Sequence, residues 1–336
     1  MNKSYRVSVL GDGGWGTALA LVSQRKGNET LLWGAFPDYV KVLKDKRENK
    51  KFLPGVPLPA KLGISSDLKE AVSFGDILIL AIPTQFLRNV LHKIKELGLS
   101  KKILVSVAKG IEKKTYLRPS EIVESILGPV NLAVLSGPSH AEEVARNIPT
   151  LVVVANKDEH FAAEVSEALR DRTFRVYLQT DIVGTELGGS LKNVVAIAAG
   201  ICDGLGFGDN TKSGLLTRGL LEMTKLGVRL GANPNTFFGL SGLGDLMTTC
   251  FSQHGRNLMV GRELGKGKKI KDILAGMEMV AEGVDTSEAV AELSTRVGVG
   301  LPIMTEVYNV LFKGKDCSRA VEDLLARDAR EEWKQY

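Results

Sequence analysis

The stretch VSVLGDGGWGTALALVSQ, Val7 to Gln24, decides how the first half of the chain is built. An apolar run stops at glycines and resumes as an alanine- and leucine-rich segment, the pattern of a strand, a tight turn and a helix. The turn reads Gly11-Asp12-Gly13-Gly14-Trp15-Gly16. Glycines at this spacing serve a tight turn, a close approach to a pyrophosphate, and close packing of helix on strand. The helix that follows offers free N–H groups and the positive end of its dipole to phosphates. The motif follows a strand and opens a helix, so a dinucleotide cradle is expected here rather than a plain strand–helix turn.

Working outward, short β-rich runs alternate with helical stretches. The runs are Arg6–Leu10, Glu29–Trp33, Ile77–Ile82, Ile103–Ala108, Leu132–Ser136, Thr150–Ala155 and Arg175–Leu178. Most are continuously apolar, as strands buried on both faces are. Amphipathic helices such as Phe86–Leu97 and Phe161–Leu169 lie between them, which predicts a mostly parallel sheet covered by helices. After about Asp181 no strand pattern follows. Helices are expected over Thr185–Leu205, Lys212–Leu230, Val260–Leu264, Ile270–Met277, Thr286–Val297, Ile303–Phe312 and Ser318–Arg327. The expected division is a dinucleotide-binding domain over 1–180 and a helical substrate and catalytic domain over 181–336, with no proline/glycine linker between them.

Composition narrows the function. The chain has 336 residues, 44% hydrophobic and 25% charged, with a net charge of +5. No lysine/arginine block interleaves with aromatics, so an anionic small molecule suits the charge better than nucleic acid. The lysine runs at Lys50–Lys51, Lys113–Lys114 and Lys266–Lys271 read as solvated loops. Cys202, Cys250 and Cys317 are far apart and odd in number, which fits a reducing compartment. Four histidines show no metal-ligand spacing, so no metal site is expected. The N-terminus runs straight into a strand pattern, and no apolar run approaches a membrane span, so a cytoplasmic protein is expected.

NAD or NADP is the expected cofactor, and the residues leave the choice open. An acid after the second strand would grip the ribose hydroxyls, and an arginine would suit a 2′-phosphate. Here Trp33-Gly34-Ala35-Phe36-Pro37-Asp38 offers neither directly after the strand, and Asp38 reads as the start of the next helix.

Other residues stand where ligands bind. Lys109, in SVAKGIE (Ser106 to Glu112), is expected to end a buried strand at the ligand side of such a sheet. SGPSHAEEV (Ser136 to Val144) turns at Gly137 and Pro138 into a helix, with Ser139 placed as its N-cap. In ELGGSLKNVVAIAAGICDGLGFGDN (Glu186 to Asn210), Lys192 lies on a buried helix, sharing its face with Gly188, Gly189, Ala196 and Ala199. That bare strip lets a ligand or another backbone come close, and burial would bring the lysine toward use as a proton acceptor. FFGLSGLGDLMTTC (Phe237 to Cys250) reads as a second glycine-rich turn, whose Asp245 wants Lys192 or a substrate hydroxyl as partner. Arg256 and Asn257, after Gly255, are suited to a phosphate.

Taken together, GDGGWGTALA, SVAKGIE, SGPSHAEEV, the Lys192 helix, GLSGLGDLMTTC, GRN and VAEGV resemble the bacterial-type NAD(P)-dependent glycerol-3-phosphate dehydrogenases, from about residue 5 to about 315. The resemblance implies an N-terminal Rossmann-like doubly wound parallel sheet and an all-α C-terminal domain of the 6-phosphogluconate dehydrogenase type. It implies reversible reduction of dihydroxyacetone phosphate to sn-glycerol 3-phosphate, a precursor of the phospholipid backbone, by a homodimer with no integral membrane segment. Lys192 matches the family's proton acceptor. Lys109, Gly137, Ser139, Asp245, Gly255, Arg256 and Asn257 match substrate positions. Gly14, Trp15, Lys109, Ala141, Arg256, Val280 and Glu282 match cofactor positions, beside Gly11, Gly13 and Gly16 of the loop. Two departures stand out: Gly255 replaces a common serine, its contact left to backbone or to His254, and Ala35 and Phe36 replace polar or basic residues. A β-hydroxyacid or 6-phosphogluconate dehydrogenase shares the layout and the central lysine, and a non-catalytic NADH sensor would need no such base.

Overall fold

Eight strands form one sheet in the order β3-β2-β1-β4-β5-β6-β7-β8. They are β1 (Arg6–Leu10), β2 (Glu29–Trp33), β3 (Gly63–Ser65), β4 (Ile77–Leu80), β5 (Ile103–Ser106), β6 (Asn131–Ser136), β7 (Thr150–Ala155) and β8 (Phe174–Gln179). All neighbours run parallel except β6 and β7. This computed structural model describes residues 4–99, 102–252, 255–328 and 331–332.

Strand periodicity sorts the apolar residues onto two faces. Val7, Val9, Ile77, Ile79, Val105, Ala133, Leu135, Val152 and Val154 share one core with helices α1 (Gly14–Lys26) and, further along the chain, Glu159–Leu169. Leu10, Leu31, Trp33, Leu78, Leu80 and Leu104 belong to a second core. There they meet Ala71 and Val72 of Leu68–Phe74, Leu87, Leu91 and Ile94 of Thr84–Leu97, and Ile122, Val123 and Ile126 of Pro119–Leu127. With α2 at Pro37–Lys46 these three helices are α3, α4 and α5; α6 is Ala141–Ala145 and Glu159–Leu169 is α7. The sheet is thus doubly wound, buried on both faces as its unbroken apolar runs require. β8 is an edge strand, with Arg175, Tyr177 and Leu178 exposed.

Two expectations need correction here. β3 was absent from the expected strands because its three residues begin with Gly63 and form no apolar run. β4 and β5 stop at Leu80 and Ser106, short of Ile82 and Ala108, so Lys109 stands in a loop three residues beyond β5 instead of ending it.

After Gln179 the described residues hold no strand. The helices are α8 (Ile182–Gly204), α9 (Asp209–Arg229), α10 (Asp245–Phe251), α11 (Arg256–Gly265), α12 (Ile270–Ala275), α13 (Glu282–Val297), α14 (Pro302–Lys313) and α15 (Cys317–Leu325). Four of them, α8, α9, α11 and α13, begin three or four residues before the expected start, because a first turn needs no apolar periodicity. By packing, the chain forms two units: one runs to Lys109 and from Leu117 to Glu186, the other comprises Gly110–Tyr116 and everything from Leu187. Among the described residues no helix is long and apolar enough to cross a membrane.

Candidate active site

In the first unit the glycine loop explains its own sequence, position by position. Gly11 has φ +126°, and a Cβ there would lie 2.2 Å from the Ala81 carbonyl oxygen. A Cβ on Gly16 would lie 1.9 Å from the Gly11 oxygen, so α1 packs on the turn only because both are bare. Gly14 leads α1, and a Cβ there would lie 2.6 Å from the Phe52 carbonyl oxygen and 3.5 Å from Ala141 Cβ, so the first residue of α6 lies beside the loop. Gly13 is different: a Cβ there would meet nothing within 4 Å. Its bareness serves no protein contact and leaves open surface beside the N-terminus of α1, which a pyrophosphate fits. The Trp15 ring packs on Phe174 with centroids 6.4 Å apart, and its Nε1–H is buried without an acceptor. The loop therefore fits a dinucleotide both in shape and in unspent polar capacity.

Past β5 and β6, Lys109 and Ser139 converge on one atom. Lys109 Nζ donates to the Gly137 carbonyl oxygen at 3.1 Å, and Ser139 Oγ donates to the same oxygen at 2.8 Å. Gly137 itself has φ +131°. Ser139 is not the cap of α6, as its position had suggested: His140 occupies that place and makes no side-chain capping bond. Its hydroxyl instead closes the turn at Gly137.

In the second unit Lys192 and Asp245 are buried, 5% and 2% exposed. Lys192 Nζ lies 2.5 Å from Asp245 Oδ1 and 2.6 Å from Thr249 Oγ1. Bonds this short are charge-assisted, and burial of such a pair demands them, because each ion pays heavily for leaving water. The bare face of α8 explains how the pair forms. A Cβ on Gly188 would lie 2.5 Å from the Ser241 carbonyl oxygen, so backbone, not ligand, approaches α8 at this point. That backbone is a π-helical turn, Leu240–Gly244, which runs directly into α10 and sets Asp245 at the helix start.

Thr249 was not anticipated. The segment read as a turn, so it had no face; as a helix, it puts Thr249 four residues after Asp245 on the same side. The signal was an Asp-x-x-x-Thr spacing.

Arg256 and Glu282 are the first residues of α11 and α13. Arg256 Nη1 donates to the Val280 carbonyl oxygen at 2.8 Å, and the Gly283 N–H donates to Asn257 Oδ1 at 3.0 Å. The two helix starts are thereby tied together, and Asn257, its acceptor engaged, offers its amide donors. A Cβ on Gly255 would lie 2.9 Å from the Thr249 carbonyl oxygen, so glycine admits the backbone of the residue that holds Lys192. His254, considered above as a stand-in for the missing serine, lies outside the described residues. Burial pushes the thiols of Cys202 and Cys317 up to about 11 and that of Cys250 up to about 12, so none is a ready nucleophile.

Known proteins share both halves. The description "NAD-dependent glycerol-3-phosphate dehydrogenase N-terminus" matches residues 6–162, and the corresponding C-terminus matches residues 181–322. An NAD(P)+ glycerol-3-phosphate dehydrogenase of Chlorobium phaeobacteroides is 46% identical over 330 residues, spanning 97% of this chain and 99% of the relative. The protein of that name from Bacillus subtilis is 47% identical over 325 residues, covering 96% of this chain and 94% of its own length. The crystal structure of a glycerol-3-phosphate dehydrogenase from Coxiella burnetii aligns with TM-score 0.93 at 37% identity, over 96% of this chain and 99% of that one. With both halves matched in order and relatives alike along nearly their whole length, the chain belongs to the NAD-dependent glycerol-3-phosphate dehydrogenase family.

Proposed function

We propose that this protein interconverts dihydroxyacetone phosphate and sn-glycerol 3-phosphate with NAD(H) or NADP(H), Lys192 acting as the acid–base. The observation that carries the reading is the buried ammonium held by Asp245 and Thr249 at 2.5 and 2.6 Å. A chain that needed only stability would fill such a place with apolar groups, since burying an ion pair gains little.

When bound, the nicotinamide supplies the hydride to carbon in reduction and takes it back in oxidation. Lys192 as ammonium stabilises and protonates the oxygen that becomes negative as the ketone is reduced; as amine it accepts the proton of the alcohol in the reverse direction. Asp245 keeps the ammonium charged and Thr249 fixes its direction. Lys109, Gly137, Ser139, Gly255, Arg256 and Asn257 bind substrate, with the arginine suited to the phosphate. Binding energy from that remote group positions the reacting carbon. Gly11, Gly13, Gly14, Trp15, Gly16 and Ala141 hold the nucleotide, with Lys109, Arg256, Val280 and Glu282. The domain over 1–180 binds nucleotide and that over 181–336 carries the chemistry.

A cytoplasmic homodimer completes the proposal; three buried free thiols support a reducing compartment, and light scattering on the purified protein tests the dimer. The test of function is loss of NADH absorbance with dihydroxyacetone phosphate and, separately, with dihydroxyacetone. Turnover that requires the phosphate supports the reading, and equal turnover without it contradicts it.

A further inference from the structure

One buried residue that this mechanism leaves unused is Asp12, between the first two glycines of the loop. It is only 9% exposed, and its Oδ2 is enclosed without any hydrogen-bond partner. The polar neighbours serve its backbone instead: Asn49 Nδ2 donates to the Asp12 carbonyl oxygen at 2.8 Å, and Thr17 Oγ1 does so at 3.4 Å. Lys51 is the cation whose charge reaches the carboxylate, and its ammonium lies over the Phe52 ring at 5.2 Å.

The place of this carboxylate is informative. The Gly11 N–H donates to the Trp33 carbonyl oxygen at 2.9 Å, so the loop is stitched to the last residue of β2. Asp12 then turns its side chain against Gly34, the first residue past that strand. A Cβ on Gly34 would lie 2.3 Å from Asp12 Oδ2, so Gly34 is bare to admit the carboxylate. In doubly wound sheets the end of β2 is where an acid reads the adenosine ribose of a bound dinucleotide. The chain has no acid there in sequence, yet the fold delivers one from the glycine loop. Two residues on, Phe36 is 71% exposed at the start of α2, an apolar ring where a 2′-phosphate would need a cation.

We propose that Asp12 is the residue that selects NAD over NADP in this protein, accepting a ribose hydroxyl and repelling a 2′-phosphate from the end of β2. The carboxylate torsion is broad and two-fold, so either oxygen can face the ribose. A hydroxyl donor would satisfy an oxygen that is otherwise costly to enclose. A 2′-phosphate would instead bring like charge against a group shielded from water. This inference rests on the dinucleotide reading of the glycine loop proposed above.

The test is the dissociation constant for NADH and for NADPH, measured by fluorescence titration without substrate, in the wild type and in Asp12→Asn and Asp12→Ser. NADH binding at least about tenfold tighter than NADPH, with the ratio collapsing in both variants, is the expected result. Asn preserves the shape, and Ser guards against a fault peculiar to one replacement. Equal affinities that neither variant changes would overturn the role of Asp12 while leaving the enzyme reading intact. Tighter NADPH binding that is lost in Lys51→Ala would overturn it in favour of that lysine. If neither nucleotide binds, the dinucleotide reading falls, and this inference with it.

Discussion

Lys192 shows how a single side chain acquires chemistry from its neighbours. Desolvation opposes its charge, and the carboxylate of Asp245 at 2.5 Å favours it. Thr249 accepts from the same nitrogen and acts by aiming it. Removing that acceptor with Thr249→Val should lower turnover roughly ten- to hundredfold, the worth of one bond to a charged group. Thr249→Ser should restore most of it, and the NADH dissociation constant should stay put in both; a loss of binding instead of turnover would argue for a merely structural threonine. Lys192 and Asp245 were legible in sequence because a lysine in an apolar helix and an aspartate among glycines both demand explanation. Thr249 was not, since a threonine is unremarkable until its helix is known. Ser139 misled for the opposite reason: a serine before a helix is so common a cap that the bond to Gly137 had no sequence signature.

At the scale of elements, α8 and α11 pack backbone against backbone. A Cβ on Gly261 would lie 2.0 Å from the Ile197 carbonyl oxygen, and Gly200 meets the Leu258 oxygen in the same way. α14 starts from a different device. Its Ile303 and Met304 N–H groups donate to the two carboxylate oxygens of Glu222 on α9, at 2.8 and 3.1 Å. Burial pushes Glu222 up to about 7. An unfolded glutamate releases its proton near pH 4.3, so from about there to pH 7 the native state binds more protons than the unfolded one. Stability should therefore fall as pH rises through that window, by about 4 kcal/mol at most, and level off above it. Urea unfolding across the window should show this slope in the wild type and a flatter profile in Glu222→Gln. An unchanged slope in the variant would assign the effect elsewhere. Strand and helix existence was readable from period and apolar runs, whereas β3, α10 and the first turns were not, because they are short or carry no periodic face.

For the whole molecule, two architectures follow one another along the chain, and the change near residue 180 was visible as the end of strand patterning. What composition foretold was modest: a net charge of +5 suited to anions. Because such attraction is screened by salt, KM for dihydroxyacetone phosphate should rise several-fold between about 0.05 and 0.5 M salt, with kcat within about twofold. A salt-independent KM would mean that only desolvated contacts hold the phosphate. The roles proposed for Val280 and Glu282 were unreadable without the family resemblance, since a polar helix start looks the same whether or not a ligand meets it. The central claim is that Lys192 moves the proton. Its direct test is single-turnover oxidation of bound NADH by dihydroxyacetone phosphate in the wild type and in Lys192→Met. The paired variant Lys192→Met/Asp245→Asn should be included, so that no carboxylate is left buried and unpaired. The account predicts that both variants bind NADH like the wild type yet transfer hydride at least about a thousandfold more slowly. Hydride transfer at the wild-type rate without Lys192 would contradict it.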